Sequence, residues 1–361
     1  MEIMPMRLTK IALASVTALV AVAATASAYA ESTKYPNPRP MFARFTDGTK
    51  PGKDPASAPP TWTFSFTYNS KTYNDVFIGT DPKKGSATTT VPVYIIPVAL
   101  TYGSTTYTPD QVLANGETVT QNIVSSPLLN GAIDFNVQST DLGTTQYEDA
   151  FARASYWQYV KKKASGYHVL LGNPTIEATT NITVPNGDGS IDNNPFGAGQ
   201  VMEVSFSWFD TQAYNLVKSF AVPASALPMI VVTQVYWVSG GCCIGGWHNF
   251  RGGQAYSIAS YQQDTGVFSQ DVSAWSHELG EWLDDYTINN QEPCGGIYEV
   301  GDPLEGEANY GAYAYKGTNG FSYNLQDLVT PPYFGAKSKL SLGKKLSLVG
   351  KFTLGVCSRG Q

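Results

Sequence analysis

The segment SHELGEW, Ser276 to Trp282, decides how the rest of the chain is read. It follows the helical zinc-protease signature H-E-x-x-H except at the last position, where Glu281 replaces the second histidine. The flanking residues predict a helix: Val272, Trp275, Leu279, Trp282, Leu283 and Tyr286 recur on one face, and Asp271 stands where an N-cap belongs. At about 100° per residue, His277, Glu281, Asp284 and Asp285 gather opposite that face, with Glu278 at its border. Two readings follow. Either His277 and Glu281, side by side at i and i+4, share a cation, or the polar face of an amphipathic helix simply meets water. Histidine is scarce, with His168, His248 and His277 the full complement of the chain. Gly280 costs about 1 kcal/mol in a helix interior unless a close approach requires it.

A catalytic zinc takes three protein ligands and keeps one position for water, so His277 and Glu281 need a third partner from elsewhere. Downstream, GGIYEVGDP supplies Glu299 and Asp302 in a turn-rich stretch; upstream, GGWHNF supplies His248. Each has a plainer reading, a solvated turn for the two acids and a backbone-bonded loop residue for the histidine.

Outside the segment the chain reads as α+β, a β-rich N-terminal region followed by a zincin-like domain built around a central active-site helix. Residues 1–30 have the pattern of a signal peptide: Arg7 and Lys10 precede an apolar run that ends at Ala-Ser-Ala and Ala-Tyr-Ala. That run is too short for a comfortable membrane span, which predicts a secreted or periplasmic protein with no stable span after cleavage. Residues 31–60 hold seven prolines and form a Pro-rich linker or arm. Residues 61–125 form the β-rich region, with strands at WTFSFTY, YNDVFIG and TVPVYIIPVAL. The zincin-like domain covers 126–335. It holds helices at Gln146–Lys162 and Thr211–Phe220, an apolar strand from Met229 to Val238, a glycine-dense loop SGGCCIGGWHNFRGG and a strand QAYSIASY. The last strand offers a backbone edge for an extended peptide. Residues 336–361 form a basic β-rich tail in which KLSL repeats read as edge strands guarded by lysines.

A net charge of −6 gives no basic surface for nucleic acid. The cysteines, Cys242, Cys243, Cys294 and Cys357, point to disulfides in an exported chain, with the adjacent pair bonding outward rather than to each other.

Taken in order, GTTQYEDAFARASYW, GWHNF, WSHELGEWLDD, CGGIYEVGD and FSYNLQDLV resemble a bacterial group of secreted proteins with a Gly-aromatic-His loop, an S-H-E-x-x-E helix and an E-x-G-D loop. That group is similar to the plant EXORDIUM (phosphate-induced) family. The resemblance spans roughly residues 140–330 and implies an extracellular protein with a zincin-like site. His277 and Glu281 match the helix ligands and Glu278 the general base, while His248, Glu299 and Asp302 match the flanking polar positions. The chain departs from the pattern at Asp284-Asp285-Tyr286, which replaces Thr-Asp-Pro, at Cys294, which precedes the E-x-G-D loop, and at Pro303, near which the group often has a cysteine.

The expectation is therefore a secreted metallopeptidase-like protein. His277, Glu281 and Asp302 hold Zn²⁺, Glu299 or His248 is a competing or additional ligand, and Glu278 is the base, with His248 as a second catalytic candidate. An anionic ligand in place of histidine makes the metal less electrophilic and opens the site to Ca²⁺ or Mn²⁺. The partner is an extended peptide or protein, or cell-wall material. Two other classes stay open: a non-catalytic extracellular binding protein with a structural metal or none, and a glycosidase using Glu278 and Glu299 as a carboxylate pair.

Overall fold

The computed structural model describes residues 41–42, 58–162, 165–293, 296–337, 339–352 and 355. The expected signal peptide, most of the Pro-rich arm, Cys294 and Cys357 lie outside the described residues. The fold is α+β.

Its largest sheet is ordered Thr180–Thr183, Val93–Tyr102, Leu227–Thr233, Gln254–Tyr261 and Gly246–Arg251, with the short strands Thr105–Tyr107 and Thr175–Ile176 also pairing with Val93–Tyr102. The first four run parallel and the last turns back antiparallel. Alternation along Val93–Tyr102 feeds two cores. Val93 and Ile95 join one core with Trp275, Leu279 and Trp282 of the helix Ser273–Asp285. Ile96, Val98 and Leu100 join the other with Phe209, Ala213 and Val217 of the helix Phe206–Ser219. Strands covered on both faces by helices need continuous apolar runs, which VPVYIIPVAL and LPMIVVT provide.

The expected boundary at residue 125 does not separate two packed bodies, because Val93–Tyr102 lies in the middle of the sheet. Its hairpin predecessor, Thr61–Tyr68 with Lys71–Ile78, buries Trp62, Phe64, Phe66 and Phe77 in the same core as the central helix. Asn290, just past that helix, donates to Val76 O and accepts from Val76 N.

Several local expectations are corrected. Met229–Val238 is two strands: Gln234, at φ 56°, turns the chain so that Leu227–Thr233 stays in the main sheet. Val235–Val238 enters a second sheet, ordered Gly189–Asn193, Gln200–Ser205, Val235–Val238 and Cys242–Ile244. The glycine-dense loop is largely strand, Cys242–Ile244 and Gly246–Arg251, because Cys, Ile, Trp and Phe pack inward there. Gln254–Tyr261 is paired on both sides and offers no free edge. Cys242 and Cys243 bond to each other, across a cis peptide, rather than outward. The second helix begins at Phe206, five residues before the expected Thr211. The KLSL repeats form no strand among the described residues; Leu340, Leu342 and Leu348 are drawn into the main core around a short 3-10 turn. Among the described residues, no helix is long and apolar enough to cross a membrane.

Asp75, on the hairpin, is buried at 2 % exposure; its Oδ1 accepts from Gln291 N, and Oδ2 has no hydrogen-bond partner. Burial, partly offset by that bond, pushes the carboxyl from 3.8 up to about 7. Between those values the folded state binds the proton and the unfolded chain does not, so stability falls as pH rises through this window. Asp75→Asn is expected to flatten part of that fall. The gain should reach up to about 4 kcal/mol at pH 8 and vanish below pH ~4, as read by urea titration at both pH values.

Candidate metal centre

The central helix Ser273–Asp285 is buried along its whole length. Its polar face therefore meets protein rather than water, and the solvated-face reading of SHELGEW is ruled out. Asp271 does not cap it; its carboxylate accepts from Val272 N, Asn324 N and Asn324 Nδ2, joining the helix start to the strand Ser322–Gln326. Gly280 has the role its cost implied. A Cβ there would stand 2.4 Å from Leu328 Cδ1, so glycine lets the segment after Ser322–Gln326 lie against the helix.

Three elements bring the site together. The helix carries His277, Glu278 and Glu281. The edge strand Gly246–Arg251 carries His248. The loop leading into the 3-10 turn Asp302–Leu304 carries Glu299 and Asp302. All six are at most 7 % exposed. His277 Nε2 lies 3.0 Å from Glu281 Oε1 and 3.5 Å from Asp302 Oδ1. His248 Nδ1 lies 3.5 Å from Glu278 Oε2 and 3.6 Å from Glu281 Oε2. His277, Glu281 and Asp302 form one group whose ligand atoms lie within 4.8 Å of one another, and His248, Glu281 and Glu299 form another.

The tautomer of His277 follows from a residue that the sequence reading did not single out. Gln326 Nε2 donates to Gly301 O, so its Oε1 faces His277 and accepts from Nδ1 at 2.6 Å. With one proton on Nδ1, the ring gives the lone pair of Nε2 to a cation when one binds. With none bound, burial is outweighed by Glu281 and Asp302, which push the imidazole well above its usual range, so it also holds a proton at Nε2. Nε2 is buried and makes no hydrogen bond, despite the 3.0 Å approach of Glu281. Ligands about 2.0–2.1 Å from a tetrahedral zinc stand roughly 3.3 Å apart, close to the two separations at His277 Nε2. The donor set of imidazole and carboxylate suits Zn²⁺ or Mn²⁺. Gln326 is the outer partner that such a histidine needs. It lies within FSYNLQDLV, so the resembling segment contained it without marking its role.

Gly301 explains the glycine of E-V-G-D. A Cβ at this position would meet His277 Nδ1 at 2.3 Å and the ring carbons at 2.6 Å, while Gly301 N donates to Glu281 Oε1. Gly301→Ala is expected to push the imidazole off its seat. It should cost about 1–3 kcal/mol in a thermal or urea melt and weaken metal uptake at the same time.

Burial pushes Glu278 up to about 7, against the lowering influence of His248 and His277. Glu299 is driven well above the usual carboxylate range by burial and then by Glu281 and Asp302. Glu281 is held down to about 2: burial opposes this, and the neighbouring histidines outweigh it. Carboxyls packed this closely repel one another when ionised, and a cation among them relieves that repulsion.

The arm reaches this centre. Met41 pairs in parallel with Ile244, its N donating to Cys243 O and its O accepting from Gly245 N. The Phe42 ring stacks on His277 at 3.6 Å between centroids and 24° between planes, and Phe42 N donates to Glu305 Oε1. Neither Phe42 nor Glu305 carried a signal in the sequence, because both contacts join residues more than two hundred positions apart.

Comparison of the chain with protein-family models, curated proteins and solved structures finds no match.

Proposed function

We propose that the protein is an exported, zincin-like metal-dependent hydrolase that cleaves peptide bonds. The observation that carries the reading is His277 Nε2, oriented by the Gln326 bond at Nδ1 and directed among buried carboxylates, with Glu278 on the next residue. A divalent cation held by His277, Glu281 and Asp302 would act as a Lewis acid toward a carbonyl and make a nearby water more acidic. Glu278 takes the proton from the attacking water and delivers it to the leaving amine. His277 and Glu281 stay fixed by the helix, and Gly301 N steadies Glu281 through the cycle. An extended peptide is favoured as substrate because the chain's own Met41 pairs as a strand with Ile244 and the next residue, Phe42, stacks on His277. The resemblance to secreted bacterial proteins of the EXORDIUM-like pattern supports the same site and compartment.

A second reading, an extracellular or cell-wall binding protein with a structural metal, draws support from the depth of burial and from Phe42 covering His277. Zinc-loaded protein, before and after removal of the arm through residue 57, separates the two when incubated with a peptide library read by mass spectrometry. Cleavage that a chelator stops and Zn²⁺ restores is the expected result. Tight metal binding without cleavage in either form would favour the binding protein, and a folded chain that takes up no metal would exclude both forms of the site.

A further inference from the structure

The second histidine of the cluster is arranged as a mirror of the first. His248 Nε2 faces the carbonyl of Asp285 at 3.3 Å. A carbonyl only accepts, so Nε2 carries a hydrogen and Nδ1 is the nitrogen turned toward Glu278 and Glu281, the one whose lone pair a cation between them would take. The two histidines come from different elements, a helix and an edge strand, and each donates its N–H to a protein carbonyl oxygen. Their other nitrogens address opposite oxygens of one carboxylate, His277 Nε2 at Oε1 and His248 Nδ1 at Oε2 of Glu281. Each histidine then has its own acidic companion in the grouping around Glu281, Asp302 with His277 and Glu299 with His248. Glu299 Oε2 is buried with no hydrogen-bond partner, as is His277 Nε2, so each half of the cluster contains an orphaned donor atom.

We propose that the centre holds two divalent cations bridged by the Glu281 carboxylate, one bound by His277 and Asp302 and the other by His248 and Glu299. This rests on the metal-hydrolase reading of the first position and adds a second. A carboxylate bridging through both oxygens suits cations about 3.5–4 Å apart, the spacing of two-metal hydrolytic sites. It also explains why the second histidine of the zinc signature is replaced. An imidazole at position 281 would offer one lone pair to one cation, whereas a glutamate offers an oxygen to each. Glu278, Glu281, Glu299 and Asp302 sit in one buried cluster, and once ionised their negative charge is balanced better by two divalent cations than by one.

The test is made on the folded full chain, stripped of metal and titrated with Mn²⁺ alone. Metal per chain is measured by mass spectrometry and the coupling between ions by electron paramagnetic resonance. The expected result is two Mn²⁺ per chain with an exchange-coupled spectrum in the unmodified protein, a readout that needs no variant to fold. Glu299→Gln, with its circular dichroism unchanged, should drop to one ion and lose the coupling. One Mn²⁺ per chain with an isolated-ion spectrum, indifferent to Glu299→Gln and lost in His277→Ala, would overturn the second position and leave the first standing. Two ions without coupling would overturn the shared bridge, and no uptake at all would overturn both positions together.

Discussion

Glu278→Gln is expected to lower peptide hydrolysis by about 10²–10⁴-fold while the metal stays bound. Glutamine keeps the size of the side chain and removes its capacity to take a proton. Glu278 is fully buried, and neither carboxylate oxygen makes a hydrogen bond, so the substitution breaks no bond that holds the fold. His248 Nδ1 lies 3.5 Å from its Oε2. The measurement pairs initial rates on a cleavable peptide with metal content of the same sample. Loss of metal together with activity would make Glu278 a ligand instead of a base. Unchanged rates would remove it from the mechanism.

Gln326→Leu is expected to weaken metal binding by about 10–100-fold. Leucine fills a similar volume but neither accepts from His277 Nδ1 nor donates to Gly301 O. The imidazole then loses the bond that fixes its tautomer, and the loop bearing Asp302 loses one of its ties to the strand Ser322–Gln326. Competition with a chromophoric chelator measures the affinity, and a thermal melt run beside it separates this effect from unfolding. An unaltered affinity would show that the Phe42 ring and the close passage of Gly301 are enough to hold the imidazole.

The two substitutions sit on opposite sides of what could be read in advance. Glu278 was legible because helix geometry is local: once the 3.6-residue period of Trp275, Leu279 and Trp282 places a helix, the neighbours of His277 follow. The same logic located the buried strands in VPVYIIPVAL and a helix after Gln146, though not its length: the single helix expected to Lys162 is Tyr147–Ser155 and, after a break at Tyr156, the short Trp157–Val160. Gly280 and Gly301 were visible as glycines, yet what they admit, a leucine side chain and an imidazole edge, belongs to distant segments.

Gln326 and Phe42 had no local signal, since a hydrogen bond across 49 residues or a ring stacked by a segment far upstream leaves no periodic trace. The errors share that origin. Met229–Val238 is continuous in hydrophobicity, but one residue of positive φ, Gln234, sends its halves to different sheets. The free edge expected at Gln254–Tyr261 disappeared because Gly246–Arg251 folded back onto it.

By itself the sequence determined the α+β class, the helix bearing His277, Glu278 and Glu281, and the acids available to join them, because these depend on spacing along the chain. Only the tertiary structure decided that the polar face of that helix is buried, that His248, Glu299 and Asp302 close around it, and that each histidine turns a ring nitrogen toward Glu281. Burial is a property of what covers a residue. Here the cover comes from an edge strand, a loop, a hairpin and the N-terminal arm, and their convergence is set by long-range packing that no local pattern encodes.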